Sequence, residues 1–317
     1  MQLPAIFVPT GAWNMRAGIS PQQVLEAARQ AEAAGIDGLF AGDHVTFYGF
    51  GNDGLINLAA VAAVTERIQL FTSVYLLALR HPTPVALQCA MVDQLSLGRL
   101  IFGVGIGGED ANEWWACGID PKTRARRTDE SLQILRSLWT QDETTFEGKY
   151  FQLDKVRMQP KPFRDDGVPI HVGGRSDAAL RRAARYGDAW VSIWVSPRRM
   201  KEAREKIDEW AAKEGRPDKS GRIGLGIQLW HAVALDGDRD AARQRLARRM
   251  EGFYQIPYER FERYAPYGRP EEIAEFLMPY LEAGCGYVNL LAVQPSQDEV
   301  VEAAVAVKDA LAKLVRS

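Results

Sequence analysis

The chain has 317 residues, of which 46% are hydrophobic and 25% are charged, and this globular composition excludes wholesale disorder. The 39 Lys and Arg residues nearly balance the 41 Asp and Glu residues, so the net charge of −2 gives no overall attraction to nucleic acid or to an anionic membrane. The longest uncharged stretches, 1–15 and 283–297, contain proline and are shorter than the ~20 apolar residues of a spanning helix. We expect no membrane segment and no signal peptide.

The cysteines and histidines are few and scattered. Cys89, Cys117 and Cys285 form neither a disulfide framework nor a Cys-x-x-Cys metal site. Such cysteines are typical of buried thiols in a reducing compartment, which predicts a cytoplasmic protein. The four histidines form no His-x-x-x-His or His-Glu-x-x-His pair, so we expect no metal centre.

The first third of the chain alternates between short apolar strands and helices. Strands are predicted at 5–8, 38–41, 68–74 and 100–104. After the first strand, Ser20 provides an N-cap, Pro21 suits the first helical position and Gln23 can complete a capping box. These signals predict a helix that begins there and ends at Gly35. A further helix is predicted from about 82 to 97.

The alternation pauses after a helix at about 128–139 and then resumes. Segment 140–168 contains glycines, prolines and two β-prone runs, and we interpret it as an inserted hairpin with an extended return. Further strands are predicted at 170–172, 189–192, about 223–234 and 287–291. Helices are predicted at 178–186, 197–214, 238–250 and 270–284, and a last helix begins at Ser296. A second irregular stretch is expected at 251–269.

Eight strands that alternate with helices are best accommodated by a (β/α)8 barrel. We therefore expect a single α/β TIM-barrel domain over 1–317, with insertions at 140–168 and 251–269. The alternative is a doubly wound open sheet, which the sequence disfavours because no G-x-G-x-x-G follows the first strand. Active sites of such barrels lie at the carboxyl ends of the strands, so the residues at those ends are the functional candidates.

The turn after the fifth strand consists of Gly173, Gly174, Arg175 and Ser176. Two glycines allow the backbone to approach a ligand closely, and the following helix directs its first N–H groups to the same place. This pattern predicts a phosphate site. It also suits a tight strand-to-helix turn in which the serine caps the helix, and the pattern alone leaves both interpretations open.

Titratable side chains follow the second strand, where Asp43 precedes His44. In a cavity, His44 can give or take a proton near neutral pH, which predicts a role in general acid–base catalysis. The structural alternative is that Asp43 caps a loop and His44 packs at the rim.

Glycines and glutamates follow the fourth strand. Gly105 and Gly107 suggest that the backbone passes close to a flat ligand, and Glu109 and Glu113 come shortly afterwards as candidate catalytic carboxylates. The alternative for each glutamate is a solvated loop charge.

Several short motifs together resemble the bacterial-luciferase-like flavin and deazaflavin oxidoreductases. They are AAGIDG at 33–38 with GDH at 42–44, RHP at 80–82, DQLSLGR at 93–99, GVGIG at 103–107, VGGRS at 172–176, GDAW at 187–190 and PEEI at 270–273. Each motif is weak alone, but they occur in the order of the family and cover nearly the whole chain. The chain is identified as a member of this family, whose fold is a (β/α)8 barrel.

The resemblance implies a cofactor, either FMN or the deazaflavin coenzyme F420, bound at the carboxyl end of the barrel. It implies that the turn at 173–176 holds the cofactor phosphate. It also implies that Ser73 and Val74 support the ring system of the cofactor. Many deazaflavin members have a non-prolyl cis peptide bond at that position.

The resemblance also implies roles for the acidic and titratable residues. The Asp43-His44 pair matches the deazaflavin members, in which the aspartate contacts the cofactor ring and the histidine faces the substrate. Deazaflavin dehydrogenases also use a glutamate after the fourth strand. Glu109 is the nearest match, but the extra Gly108 shifts that alignment and keeps Glu113 as the alternative.

We therefore expect an oxidoreductase that transfers a hydride between coenzyme F420 and a small organic substrate. The Asp43-His44 pair and the segment 190–197 favour the deazaflavin. One alternative is an FMN-dependent monooxygenase, which needs a separate reductase and a dry pocket. A second alternative is an inactive paralogue that only binds the cofactor. The family resemblance further predicts a homodimer that uses the early barrel helices.

Overall fold

The computed structural model describes residues 2–12, 18–108 and 110–316. In chain order the strands are β1 (Ala5–Pro9), β2 (Gly38–Ala41), β3 (His44–Phe47), β4 (Phe50–Asn52), β5 (Gln69–Thr72), β6 (Leu100–Val104), β7 (Thr144–Glu147), β8 (Gln152–Val156), β9 (Ile170–Gly173), β10 (Ala189–Ile193), β11 (Gly224–Val233), β12 (Tyr267–Gly268) and β13 (Tyr287–Ala292). The helices are α1 (Pro21–Ala33), α2 (Gly54–Ala62), α3 (Pro82–Leu95), α4 (Ala111–Ala116), α5 (Arg124–Thr140), α6 (Asp177–Tyr186), α7 (Pro197–Lys213), α8 (Arg239–Tyr254), α9 (Pro270–Glu282) and α10 (Gln297–Arg316).

Eight parallel strands of the described chain close into a barrel. Their order is β1, β2, β5, β6, β9, β10, β11, β13, and β13 pairs with β1 again. This confirms the predicted (β/α)8 architecture and excludes the open sheet, because an open sheet would leave two unpaired edges. The carboxyl ends of all eight strands meet at one end of the barrel, which we call the mouth.

Aromatic rings fill the interior of the barrel. The ring centroids of Phe7 and Phe71 lie 5.6 Å apart, and Tyr287 lies 6.1 Å from Phe7 and 5.9 Å from Phe71. Gly38 and Gly226 face these rings, and a Cβ atom at either position would overlap with the ring of Phe7 or Tyr287. The interior is therefore a packed core, and a ligand can bind only at an end of the barrel.

The outer layer of helices forms where the sequence signals predicted it. At the start of α1, the Ser20 hydroxyl accepts a hydrogen bond from the Gln23 N–H at 3.3 Å. In return, the Gln23 side chain accepts from the Ser20 N–H at 2.8 Å, which confirms the predicted capping box. Ala27, Ala28 and Ala31 form the buried face of this helix, so α1 packs closely on the strands.

Within the described residues, two hairpins lie outside the barrel. One is β7 with β8, inside the segment 140–168. The other, β3 with β4, directly follows β2 and was not predicted. Its turn consists of Tyr48 (φ 44°) and Gly49 (φ 84°), and two successive positive φ angles are the backbone of a tight two-residue hairpin turn.

The segment 251–269 is less irregular than expected. Helix α8 continues to Tyr254, beyond the predicted end at 250, because the Tyr254 ring packs against Trp194 and Trp230. Short 3₁₀ turns follow at Tyr258–Arg260 and Glu262–Tyr264. Strand β12 then pairs with the carboxyl end of β11, so the segment ends at the mouth of the barrel.

Two kinds of feature are not found in the part of the chain that the structure describes. None of its helices is long and apolar enough to cross a membrane. No three His, Cys, Asp or Glu side chains come together there in a group that could hold a metal ion.

Candidate active site

The hairpin of β3 and β4 carries His44 at the mouth, and α4 holds that hairpin from one side. Nδ1 of His44 donates to the Glu113 carboxylate on α4, with distances of 2.9 and 3.1 Å to its two oxygens. The same carboxylate accepts from the backbone N–H groups of Val45 at 2.5 Å and Thr46 at 3.3 Å. One buried carboxylate therefore fixes both the hairpin and the orientation of the histidine ring.

The protonation state of Glu113 follows from this environment. Only 1% of its surface is exposed. Burial raises the pKa of the carboxyl, but the hydrogen bond and charge of His44 and the N–H groups of Val45 and Thr46 together outweigh burial and lower the pKa. An ionised carboxylate can only accept, so Nδ1 of His44 carries the ring proton. In the neutral ring, Nε2 is then the proton-accepting nitrogen, as a general base oriented by a carboxylate requires.

Asp43 immediately precedes His44 but is buried, with 1% of its surface exposed. Arg80 donates to both carboxylate oxygens, at 2.7 and 2.9 Å. The backbone N–H groups of Leu76, at 3.0 Å, and Gly54, at 3.3 Å, complete the set of donors. Asp43 thus ties together the end of β2, the start of α2 and the loop that follows β5.

Arg80 and Asp43 form a charged pair inside the rim of the mouth. Burial lowers the pKa of the Arg80 guanidinium, but the charge and hydrogen bonds of Asp43, together with the charges of Tyr75 and Asp53, outweigh burial and raise the pKa. Arg80 also pairs with Asp53 at 3.3 Å and lies 4.3 Å from the centroid of the Tyr75 ring. The sequence predicted that Asp43 contacts the cofactor ring. Both its oxygens face donors of this chain, so Asp43 positions the rim, and its contact with the cofactor ring stays a prediction.

The peptide bond between Ser73 and Val74, just past the end of β5, is cis. The Ser73 hydroxyl donates to Oε1 of Gln228 at 2.7 Å and accepts from Nδ2 of Asn289 at 2.9 Å. These two partners come from β11 and β13, across the barrel. The bonds hold the Ser73–Val74 peptide at the centre of the mouth.

Val74 is half-buried and lies between two glycines of the neighbouring strands. A Cβ atom at Gly105 would overlap with one methyl group of Val74, and a Cβ atom at Gly173 would lie 3.0 Å from the other. The two glycines therefore make room for Val74, which forms an apolar shelf of a kind that a flat ring can rest on. The structure gives Gly105 this packing role, and its approach to a ligand stays a prediction.

Beyond the shelf, Gly107 adopts a positive φ of 54°, and a Cβ atom there would lie 3.0 Å from the Leu76 side chain. Gly107 thus shapes the loop that leads to α4. Glu109, the first candidate for the catalytic glutamate, lies outside the described residues. The second candidate, Glu113, lies at His44.

The geometry of the turn at 173–176 is compatible with both interpretations made from the sequence, a phosphate site and a serine-capped turn. The Ser176 hydroxyl accepts from the Ala179 N–H at 3.3 Å and caps α6, while its own proton can still be donated. Gly174 has φ 130°, and a Cβ atom there would lie 2.8 Å from Cβ of Ala179. Its carbonyl oxygen accepts from Nε1 of Trp190 at 2.7 Å. The turn is therefore fixed, with its N–H groups at the amino end of a ten-residue helix.

Aromatic side chains from four separate segments form one side of the mouth. We call this set the aromatic wall; its members are Phe47, Trp194, Trp230, Phe253, Tyr254 and Phe261. Of these, Trp194 lies in the segment 190–197 that was singled out in the sequence, and the others were not candidates. The set was missed because its members are distant in sequence, and the one local signal was the cluster of aromatic residues between 253 and 261.

Arg175 connects the turn to this wall. Its guanidinium lies 5.1 Å from the centroid of the Trp194 ring. Trp194 itself has φ 53°, an uncommon conformation for a bulky residue, directly after β10. The wall therefore extends from His44, next to Phe47, to the cation at the proposed phosphate turn.

Comparisons with known proteins agree with this geometry. An F420-dependent glucose-6-phosphate dehydrogenase of Kineococcus radiotolerans is 29% identical over 306 residues, which cover 88% of this chain and 89% of that protein. The 4-hydroxyprotoasukamycin monooxygenase of Streptomyces nodosus subsp. asukaensis is 34% identical over 223 residues, covering 67% of this chain and 60% of that protein. An F420-dependent secondary alcohol dehydrogenase, solved with an F420-acetone adduct, shares the fold with a TM-score of 0.81 and 23% identity, over 98% of this chain and 99% of that one. The model of the luciferase-like monooxygenase family matches residues 4–307, and this chain belongs to that family.

Proposed function

We propose that this chain is an oxidoreductase that transfers a hydride between coenzyme F420 and a small organic substrate. The observation that carries the proposal is the bond between His44 and the buried, ionised Glu113. This pair lies close to the Val74 shelf. Asp43 directly precedes His44, and its carboxylate accepts a hydrogen bond from the backbone N–H of Leu76, which is two residues after Val74. Relatives named for F420-dependent activity support the choice of cofactor.

The residues of the mouth fit a flat ring with a phosphate arm. The Val74 shelf offers an apolar face for the ring, and the N–H groups at the start of α6, with the hydroxyl of Ser176 and the charge of Arg175, suit a phosphate. When bound, the deazaflavin supplies the carbon that accepts or delivers the hydride.

His44 transfers the proton that accompanies the hydride. When an alcohol is oxidised to a carbonyl compound, the carbon loses a hydride and the oxygen loses a proton, and Nε2 of His44 is the acceptor for that proton. Glu113 stabilises the imidazolium that forms. In the reverse direction the same nitrogen returns the proton to the carbonyl oxygen. The Asp43–Arg80 ion pair holds the hairpin and the Val74 shelf in fixed positions relative to each other during the proton transfer.

An FMN-dependent monooxygenase is the second candidate, and one relative named as a monooxygenase favours it. The aromatic wall would help to exclude water from the bound cofactor in such an enzyme. That reaction needs electrons from a separate reductase, whereas the deazaflavin reaction needs none.

The test is cofactor binding followed by turnover. Purified protein is titrated separately with F420 and with FMN, using the absorbance and fluorescence of each cofactor. We expect F420 to bind and Gly174→Asp, which places a carboxylate beside the phosphate turn, to weaken that binding by tenfold or more, about 1.4 kcal/mol. The control is Gly215→Asp, where a Cβ atom meets nothing within 4 Å. Binding of FMN alone would favour the monooxygenase, and binding without turnover of any substrate would favour the inactive paralogue.

We also propose that the chain forms a homodimer through α2 and α3. Leu87, Met91 and Leu95 recur every four residues on α3 and are exposed, as is Ile56 on the adjacent α2, at 70%. A stripe of this kind is a typical contact between copies of a chain. Sedimentation should give the mass of two chains, and Leu95→Glu should give a monomer. A wild-type mass of one chain at every concentration would contradict the dimer.

A cytoplasmic location is proposed from the cysteines. Cys89, Cys117 and Cys285 are all unpaired, and Cys89 and Cys285 are buried. Free thiols persist in a reducing compartment. Fractionation of the cells that make this protein tests the location, and recovery outside the cytoplasm would contradict it.

A further inference from the structure

The aromatic wall begins at the group that moves the proton. The centroid of the Phe47 ring lies 4.2 Å from that of His44 and 5.0 Å from that of Phe253. From Phe253 the contacts continue to Tyr254 at 4.8 Å and from there to Trp194 at 4.7 Å. Phe47 is buried, whereas Phe253, Tyr254 and Trp194 are half-buried. These three rings leave aromatic surface for the body of a molecule whose reacting carbon lies near His44.

Such a surface suits an uncharged, bulky ligand. Aromatic faces bind aromatic and alicyclic groups by burying apolar area and through edge and face contacts. The wall offers few polar groups, but one is the indole N–H of Trp194, which is buried and has no hydrogen-bond partner. This donor suits a single neutral oxygen at the far end of a ligand.

The charges near His44 disfavour a doubly charged substrate. Glu113 is ionised, and Asp110, the cap of the same helix, accepts from the N–H of Tyr48 on the same hairpin at 3.0 Å. Arg80, a cation near this hairpin, is already matched by Asp43 and Asp53. A phosphate dianion close to these carboxylates would be repelled and would also lose its hydration.

Building on the F420-dependent function proposed above, we propose that the substrate is an uncharged secondary alcohol, or the matching ketone, with an aromatic or alicyclic body. The body packs on the aromatic wall, and the oxygen lies at His44. In the oxidation, the C–H bond breaks and its electron pair leaves as hydride to the deazaflavin. The O–H proton passes to Nε2 of His44, and the carbon–oxygen double bond forms.

The experiment separates this substrate class from the cofactor assignment. F420 binding is measured first by fluorescence. Calorimetry then measures the binding of acetophenone and of glucose 6-phosphate to the cofactor-free protein. Finally, kcat/KM is measured with F420 for 1-phenylethanol and for glucose 6-phosphate. We expect acetophenone to bind more tightly than glucose 6-phosphate and 1-phenylethanol to have the higher kcat/KM.

Two variants locate the effect. Phe253→Ala removes a ring from the wall and should raise the Kd of acetophenone by about tenfold while the Kd of F420 changes by less than about threefold. The matched control is Phe276→Ala, which removes a half-buried ring on α9 that packs against the Tyr280 ring. It should leave the Kd of acetophenone and the Kd of F420 unchanged.

Tighter binding of glucose 6-phosphate, absence of acetophenone binding, or equal effects of the two variants would each overturn the substrate class. Failure of F420 to bind, with acetophenone binding still sensitive to Phe253→Ala, would overturn the cofactor assignment and leave the wall as an apolar binding surface.

Discussion

Glu113 accepts a hydrogen bond at 2.9 Å from Nδ1 of His44, which lies 69 residues earlier in the chain. The histidine is on a hairpin after β2 and the glutamate on a helix after β6, and both of these strands pair with β5, so the parallel sheet brings their carboxyl ends together. The residues at each of these two strand ends were only weak functional candidates in the sequence. The contact joins them into one candidate acid–base pair.

Replacing either member of this pair should reduce turnover more than cofactor binding. His44→Ala removes the proton acceptor and should lower kcat by about 10²- to 10⁴-fold. Glu113→Gln loses the charge that stabilises the imidazolium and should lower kcat by a smaller factor. The Kd of F420 should stay within about threefold in both variants, because neither residue forms the shelf or the phosphate turn. Steady-state kinetics measure the first effect and fluorescence titration the second.

The control for that pair is Glu143→Gln, which alters a surface ion pair with Arg157. Its kinetics should match those of the wild type. Unchanged kcat in His44→Ala would show that the ring only packs at the rim.

Glu113 should also contribute an acid-dependent part of the stability. Its folded-state pKa lies below its ordinary value, so its stabilising effect is complete above the unfolded pKa, about 4.3, and is lost as the pH falls through the folded pKa. The difference in unfolding free energy between wild type and Glu113→Gln should therefore shrink as the pH falls from 6 to 3. Denaturant titrations of both proteins at each pH measure it. A difference that stays constant with pH would contradict this origin.

Breaking the Asp43–Arg80 pair should destabilise the fold. Arg80→Met leaves the Asp43 carboxylate buried without its bidentate partner, which typically costs about 3–5 kcal/mol. Arg157→Met removes an arginine of which 78% of the side chain is exposed, and should change stability by less than about 0.5 kcal/mol. Urea unfolding compares the two variants.

A double mutant separates this ion pair from simple packing. Adding Asp43→Asn to Arg80→Met removes the unpaired charge and should recover part of the loss, so the two effects should not add. Strict additivity would show that the two side chains act independently.

Much of the fold was predictable because its signals are local. Each barrel strand is a short apolar run, and caps such as Ser20 with Gln23 mark where helices begin. The β3–β4 hairpin was missed since its strands are short and half-exposed, and its one local signal is the turn at Tyr48 and Gly49. Short strands of this kind depend on tertiary partners, here Glu113, rather than on their own pattern.

The candidate site was predictable only in part, for a similar reason. The turn at 173–176 and the Asp43-His44 pair are contiguous motifs, so they can be identified from the sequence. Arg80, the partner of Asp43, was identified only as part of the motif at 80–82. A buried ion pair between residues far apart in the chain produces no recognisable pattern in the sequence. The choice between Glu109 and Glu113 depends on where a loop insertion falls, and spacing in the sequence does not determine that.

The Val74 shelf offers the last prediction, because its shape depends on the absence of a side chain at Gly105. Gly105→Ala adds a methyl group where a Val74 methyl already lies, so the valine side chain must move. We expect F420 affinity to fall by about tenfold, or 1.4 kcal/mol, since the ring loses its apolar support. Gly252→Ala, at an open position on α8, is the control and should bind F420 like the wild type. Equal affinities for Gly105→Ala and wild type would show that the shelf does not contact the cofactor.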